Sequence, residues 1–176
     1  MSLLNSTVST ENATGVVAEN YERVKEMAGF IPPLCEFLSI NPNAQTSNLD
    51  YAKTVFPHPT LTGKLLSMIG LLISNDSNCD YCVDFNEAIL VNNFEISQDE
   101  IKAIKEDASN VTSLDDKEKE LLFFVLKSVK DPSSITQNDI ISLKNLNATE
   151  LEIFDVINHG AHIVAADIMI DTFKVE

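Results

Sequence analysis

Apolar residues along this chain recur at the three- and four-residue spacing of helices that pack on one face. A helix is predicted to begin at Cys79, and the other helical patterns cover residues 16–29, 60–74, 98–108, 115–130, 137–145 and 148–174. No segment combines a sustained alternation of apolar and polar residues with β-branched side chains, which a half-buried strand requires. The pattern therefore predicts an all-α fold of about seven or eight helices.

Polar residues mark the predicted ends of these helices. Ser97 and Glu100 form the standard capping-box pattern, in which side chain and backbone bind each other across the first turn. Looser versions of this pattern are Ser113 with Asp116, Thr136 with Asp139, and Asn147 with Glu150. Asn78 is the predicted N-cap of the helix that begins at Cys79.

The helix predicted over residues 148–174 is apolar nearly all round. Such a helix must be covered by the rest of the fold or by another subunit. The longest largely apolar run, residues 65–73, is too short to span a bilayer. We therefore expect one domain over residues 1–176 that does not associate with a membrane.

Composition narrows the classes of partner. The 176 residues are 44% apolar and 22% charged, which is typical of a globular domain. Twelve basic against 27 acidic residues give a net charge of −15, which repels nucleic acid and anionic membranes. The first residues lack the basic start and apolar run of a secretory leader, so a cytoplasmic location is expected.

The segment "SNDSNCDYCVDFNEAIL" (74–90) carries the candidate chemistry. Cys79, Cys82 and Asn86 are spaced by three and four residues, so they share one helix face. With Asn78 as the cap, both thiols lie in the first turn, where the helix dipole lowers a cysteine pKa and favours the reactive thiolate. Two thiols one turn apart can also form a disulfide, which in a cytoplasmic protein is typically catalytic or redox-sensing.

Two alternatives accompany this interpretation. Cys79 and Cys82 could bind zinc together with His159 and His162, which are three residues apart on the last predicted helix. Thioredoxin-like proteins share the Cys-x-x-Cys pair but place it after a strand of an α/β fold, which this chain does not offer. The third cysteine, Cys35, lies in an apolar segment and is expected to be a buried core residue.

The residues around the pair resemble the carboxymuconolactone decarboxylase superfamily, in particular its alkylhydroperoxidase D-like and peroxidase-related members. The motif of that group is Glu-x11-Cys-x2-Cys-x3-His on two consecutive helices, and "SMIGLLISNDSNCDYCVDFN" keeps both cysteines, Tyr81 before the second one, and the spacing of every element. The G-x-x-P segment at 29–42 and the last two predicted helices are also similar to the family. The resemblance implies a single alkylhydroperoxidase D-like domain over residues 1–176.

The chain departs from the motif at the two proton-transfer positions. Ser67 stands where the family has Glu, and Asn86 stands where it has His. In the resembling enzymes these residues form a relay that activates the second cysteine, here Cys82, whereas the first, here Cys79, is the more accessible in disulfide exchange. Serine and asparagine can hydrogen-bond but cannot exchange a proton near neutral pH. A histidine from elsewhere in the chain could substitute as the base: His58, His159 or His162.

The resemblance implies a thiol-dependent peroxidase or disulfide oxidoreductase. Its expected catalytic residues are Cys79, Cys82, Asn86 and Ser67, with no cofactor and no metal. Its expected partners are a small hydroperoxide and a dithiol reductant such as a lipoyl- or thioredoxin-like protein. The alternative is a redox-sensing or structural protein of the same fold that has lost efficient catalysis. The last predicted helix and the helix over residues 60–74 offer more apolar surface than a monomer readily covers, and family members assemble as dimers, trimers or hexamers. Both observations predict a homo-oligomer, with the cysteine pair close to a subunit interface.

Overall fold

The described chain is all-α, as predicted. The structure, a computed structural model, describes residues 2–175, so both ends of the predicted 1–176 domain lie outside the described residues. Within that range the chain forms nine α-helices and no strand. The helices are α1 (Gly15–Ala28), α2 (Pro33–Leu38), α3 (Pro42–Val55), α4 (Gly63–Ser77), α5 (Asp80–Phe94), α6 (Gln98–Glu106), α7 (Asp116–Lys130), α8 (Gln137–Asn145) and α9 (Glu150–Phe173).

Two of the predicted helix starts are confirmed. Ser97 caps α6, where its hydroxyl accepts the backbone N–H of Glu100 at 3.1 Å. Thr136 caps α8, where the Asp139 carboxylate accepts the backbone N–H of Thr136 at 2.7 Å. Each contact satisfies a backbone donor that the first helical turn leaves without an intrahelical partner.

The other two predicted capping residues are wrong by two positions. Helix α7 is capped by Asp115 in a capping box with Glu118, because the backbone N–H of Ser113 is bound by a carboxylate on α6. At α9, Thr149 and Glu152 bind each other's backbone N–H groups, with distances of 3.1 and 2.7 Å. Asn147 instead lies in the left-handed region, with a φ of 62°.

The described chain divides into two compact units. The first comprises residues up to Pro57 together with those from Met169 onward. Its core is formed by α1, α2 and α3, and the buried side chains at its centre are Val17, Tyr21, Val24, Cys35 and Leu49. Cys35 is 5% exposed, so it is a core residue as the sequence indicated.

The second unit spans His58–Ile168 and contains the predicted chemistry. Helix α4 lies at its centre, since every residue from Leu65 to Ser74 is buried. Helices α5 and α7 pack against it. The apolar surface that the sequence assigned to this helix is therefore covered within the unit. The prediction of a single domain stays a prediction.

Helix α9 is long and apolar enough to cross a bilayer by length and composition alone. Its most apolar 18-residue window has a mean hydropathy of 1.3, and 33% of that window is buried. One such helix is weak support for a membrane span, because long core helices of soluble proteins have the same properties. The expectation of no membrane association thus stays a prediction.

Candidate active site

The junction of α4 and α5 places the two cysteines. Asn78 does not cap α5 as predicted; it has a φ of 59° and ends α4 in the left-handed conformation, which asparagine tolerates better than most residues. Cys79 occupies the N-cap position instead, and its backbone N–H donates to Ser74 O at 3.0 Å. Cys82 is therefore in the first turn of α5, whereas Cys79 precedes it.

Both thiols are buried side by side. Cys79 is fully buried and Cys82 is 7% exposed. Their Sγ atoms lie within 4.8 Å of each other, and no disulfide joins them in this structure. In this structure Cys79 is the less exposed of the two residues, whereas the family resemblance implied that it is the more accessible.

A carboxylate from the last helix completes the cluster. Asp167 on α9 is 2% exposed, and one of its carboxylate oxygens lies within 4.8 Å of both Sγ atoms. Two serines at the end of α4 hold this carboxylate: Ser74 Oγ donates to Oδ1 at 2.9 Å and Ser77 Oγ donates to Oδ2 at 2.6 Å. The thiol pair thus has a fixed acidic neighbour that the family motif does not contain.

The environment raises the pKa of the Cys82 thiol rather than lowering it. The largest cause is burial, followed by hydrogen bonding to Cys79 and Asp167 and by the negative charge of Asp167. Burial disfavours a thiolate, and a neighbouring carboxylate repels it. These effects outweigh the attraction of the helix dipole, which is modest and confined to the first turn. The prediction of a helix start that lowers this pKa is wrong.

Asn86 lies on the face of α5 that packs on α4. Its Nδ2 donates to the carbonyl oxygen of Cys82 at 2.9 Å, which ties the amide to its own helix. A Cβ atom at Gly70 would lie 2.5 Å from Asn86 Oδ1, so the amide occupies space that only a glycine leaves open. Ser67 is buried on α4 at 3% exposure.

The first two of the three candidate histidines are engaged with backbone and carboxylate groups. His58 Nδ1 accepts the N–H groups of Thr60 and Leu61, and its Nε2 lies 3.0 Å from Asp155 Oδ2. His159 Nε2 lies 3.0 Å from Leu66 O, and burial lowers the pKa of this imidazole to about 4. His159 is therefore neutral at physiological pH.

The predicted zinc set of two cysteines and two histidines is not formed. His162 is exposed, and its Nδ1 lies 2.9 Å from Asn158 O within the same helix. Among the described residues, the group that could hold a metal ion is Cys79, Cys82 and Asp167, with all three side chains buried. The spacing of residues along α9 in the sequence does not indicate which face of this helix contacts the thiols of Cys79 and Cys82.

Asp167 is the residue that sequence reasoning missed. It lies 85 positions after Cys82, so no local spacing relates the two. The available signal was an acid within the apolar segment "HIVAADIMI" (162–170). A carboxylate on an apolar, buried helix needs polar partners, and that requirement alone makes it a candidate site residue.

Comparison with known proteins relates this geometry to a fold. No family model and no curated protein matches the sequence. Among solved structures, the chain is similar to an alkylhydroperoxidase AhpD core protein, an uncharacterized peroxidase-related protein from Ralstonia eutropha JMP134. The two chains are 19% identical with a TM-score of 0.84. The match covers 98% of this chain and 90% of that chain.

Two further solved structures are similar over the whole chain. An uncharacterized peroxidase-related protein from Silicibacter sp. TM1040 is 16% identical with a TM-score of 0.80, and the debrominase Bmp8, in complex with 2,3,4-tribromopyrrole, is 14% identical with a TM-score of 0.74. Each match covers 100% of this chain and 94% of the other. The chain therefore has the all-α fold of these alkylhydroperoxidase AhpD core and peroxidase-related structures.

Proposed function

We propose that this protein is a thiol-dependent peroxidase or disulfide oxidoreductase that uses the Cys79–Cys82 pair. The observation that supports this function best is the buried cluster of two adjacent thiols and the Asp167 carboxylate. The names of its structural neighbours include both peroxidase-related proteins and a debrominase, so the fold alone does not select a substrate. The thiol pair of this chain carries the proposal.

Cys82 is the attacking residue in the proposed reaction. Cys82 is the more exposed of the two residues, and its sulfur attacks one oxygen of a hydroperoxide. The O–O bond breaks, the alcohol leaves, and Cys82 becomes a sulfenic acid. Cys79 then attacks the oxidised sulfur, water leaves, and the two residues form a disulfide. The reaction consumes one peroxide and two thiol hydrogens.

Asp167 takes the place of the missing proton relay. The Cys82 thiol is protonated at rest because burial and the adjacent carboxylate raise its pKa. During the attack, the proton passes from sulfur to the Asp167 carboxylate and from there to the departing alkoxide. A general base must lie within hydrogen-bond reach of the proton that it accepts. Asp167 hydrogen-bonds to Cys82, whereas Ser67 and Asn86 cannot act as bases.

The cycle requires a partner. A dithiol reductant, lipoyl- or thioredoxin-like, reopens the disulfide by thiol–disulfide exchange and leaves with its own disulfide. The substrate is a small hydroperoxide, and the proposed location is the cytoplasm, where such reductants maintain thiols.

Turnover with a hydroperoxide and a dithiol tests this function. We expect Cys79→Ser and Cys82→Ser each to abolish turnover, because one removes the resolving thiol and the other the attacking thiol. The matched control is Cys35→Ser, which removes the third cysteine and should retain turnover. Peroxide reduction that persists in the double variant of Cys79 and Cys82 would rule the function out.

The raised pKa of Cys82 specifically favours one alternative, a redox-sensing or structural protein without efficient catalysis. Such a protein would form the Cys79–Cys82 disulfide slowly and would show no multiple turnover with any dithiol. Measured rates at the level of free cysteine, in wild type and in Asp167→Asn alike, would favour this alternative over the enzyme.

A further inference from the structure

The three side chains of the cluster also have the chemistry of a metal site. We propose that the reduced Cys79–Cys82 pair and Asp167 bind one zinc ion, with two thiolate sulfurs and one carboxylate oxygen as ligands. This set differs from the two-cysteine, two-histidine set that the sequence suggested, because the third ligand comes from Asp167. The inference does not rest on peroxidase activity, since metal binding needs only the three ligand atoms.

The distances suit zinc. The three ligand atoms lie within 4.8 Å of one another. Tetrahedral zinc has Zn–S bonds of about 2.3 Å and Zn–O bonds of about 2.0–2.2 Å, which place neighbouring ligand atoms roughly 3.5–3.8 Å apart. The cluster therefore needs to contract by about an ångström at most, which side-chain torsions of Cys82 and Asp167 can supply. Sulfur ligands favour zinc over magnesium or calcium.

The charges also suit a divalent cation. Two thiolates and one carboxylate would carry three negative charges in a buried site, and the hydroxyls of Ser74 and Ser77, which donate to Asp167, are neutral. A buried charge requires a compensating partner. A zinc ion supplies two positive charges at the ligand atoms, and the two thiols release their protons as it binds.

Supporting contacts fix the carboxylate in place. Ser74 and Ser77 each donate a hydroxyl hydrogen to a different oxygen of Asp167, so each oxygen keeps a lone pair for a metal. Groups that orient a metal ligand in this way typically contribute about 10–100-fold to metal affinity. The fourth position, for which the described part of the chain offers no ligand in this cluster, is left for water.

Zinc binding and oxidation of the pair exclude each other. A disulfide has no thiolate to offer, so the metal binds only the reduced protein. Formation of the Cys79–Cys82 disulfide by a peroxide would release the ion. The site would then report the redox state of the pair through metal release, whether or not the protein turns over.

Cobalt is a visible substitute for zinc in a direct test. The full-length reduced protein, freed of metal with a chelator, is titrated with Co²⁺ in the absence of peroxide, and Zn²⁺ is then added. We expect one equivalent of Co²⁺ to produce a thiolate-to-cobalt charge-transfer band that Zn²⁺ abolishes. Cys82→Ser should lose the band, Asp167→Asn should bind at least about tenfold more weakly, and Ser74→Ala about 10–100-fold more weakly. The control, Cys35→Ala, should match wild type.

Either of two results would rule out the proposed zinc site. One is the absence of a charge-transfer band when Co²⁺ is added to the reduced wild-type protein. The other is an Asp167→Asn variant that shows an equally strong band and binds Co²⁺ with equal affinity. The wild-type protein, oxidised to the disulfide before the titration, provides a further test that does not depend on the folding of any variant. Retained cobalt binding by the oxidised protein would also exclude the proposed ligands. The titration measures no peroxide turnover. A negative result for metal binding therefore leaves the proposed function intact, and a negative turnover result leaves the proposed metal site intact.

Discussion

At the scale of single residues, the reactivity of Cys82 is set by its immediate neighbours rather than by its position in a helix. Burial, Cys79 and Asp167 all raise its pKa. The helix start acts in the opposite direction, but a macrodipole contribution of about 0.3–1 kcal/mol is smaller than the cost of placing a thiolate in a buried site beside a carboxylate. Asp167 is the neighbour whose charge can be removed with the least change in shape.

Asp167→Asn should therefore lower the pKa of Cys82. Asparagine keeps one side-chain oxygen, which can accept one of the two serine hydroxyls, but removes the negative charge, so the thiolate is less strongly repelled. We expect the pH profile of Cys82 alkylation to shift to lower pH by roughly one unit, which is about tenfold faster alkylation at a fixed pH below the pKa. The shift is measured with iodoacetamide and mass spectrometry. Asp171→Asn, on the same helix, is the control and should leave the profile in place.

His159 gives the protein a predictable acid sensitivity. Burial lowers the pKa of this imidazole to about 4, from an unfolded value near 6.5. The unfolded chain therefore binds a proton more readily than the folded one between these values, and stability falls as pH decreases through this window. We expect the free energy of unfolding to drop by about 2 kcal/mol between pH 6.5 and 4.5 from this residue alone.

Urea unfolding of wild type and His159→Gln at the two pH values measures this contribution. Glutamine can still donate to the Leu66 carbonyl but does not titrate, so its variant should lose less stability over the window. The carboxylate of Glu152, whose pKa is lowered to about 2, loses its contribution only as pH falls below its unfolded value. An equal drop in both proteins would assign the acid sensitivity to other groups.

At the scale of elements, the site depends on the close approach of α4 and α5. Gly70 and Asn86 form that contact, and a Cβ at Gly70 would lie 2.5, 2.8 and 2.9 Å from Oδ1, Cγ and Nδ2 of the amide. The Asn86 amide cannot move freely, because its Nδ2 donates a hydrogen bond to the carbonyl oxygen of Cys82. The backbone that carries Cys82 is thus fixed against α4 through a side chain that has no proton-transfer role.

Gly70→Ala should destabilise the protein by about 1–3 kcal/mol, the usual cost of overpacking. In an Asn86→Ala background the same change should be neutral or stabilising, since the clash is gone and alanine is the better helix former by about 1 kcal/mol. Chemical denaturation of the four proteins of this cycle gives the coupling. Equal effects of Gly70→Ala in both backgrounds would show that the two residues do not meet.

The sequence predicts the helices more accurately than it predicts the roles of residues at helix junctions and the tertiary contacts between helices. Apolar periodicity predicts the helices that follow Ser97 and Thr136, and the spacing of polar residues predicts their caps, because both signals are local. It misassigned Asn78, since asparagine is favourable both at an N-cap and in the left-handed residue that ends a helix. It could not relate Asp167 to the cysteines, because their contact depends on tertiary packing between segments 85 positions apart.

At the scale of the whole molecule, the apolar surface that calls for a partner lies on α9. Leu151, Phe154 and Ile168 are 56%, 67% and 60% exposed, and Ala161 and Ala165 between them are also exposed, at helical spacing. Burial of such a surface contributes about 25 cal/mol per Å². The net charge of −15 opposes self-association, but at physiological salt it is screened beyond about 8 Å.

We predict a homo-oligomer of this chain, with the Cys79–Cys82 site close to the interface. Light scattering at micromolar concentration and ordinary salt should give a multiple of 19.4 kDa. Phe154→Glu should shift the mass toward that of one chain, because it places a charge on the exposed apolar surface of α9. Leu3→Glu, at an equally exposed position outside α9, should not. A wild-type mass near 19.4 kDa would contradict the prediction.

The proposed peroxidase chemistry is tested most directly by the chemical state of the cysteines after one equivalent of an organic hydroperoxide. The reduced protein is treated, alkylated and mapped by peptide mass spectrometry, and the remaining peroxide is assayed in parallel. We expect one peroxide to be consumed per chain, an intramolecular disulfide between Cys79 and Cys82, and an alkylated Cys35. In Asp167→Asn the same disulfide should form at a different rate, because the proton acceptor has gone. Alkylated thiols at both Cys79 and Cys82, with the peroxide unconsumed, would contradict the proposed reaction.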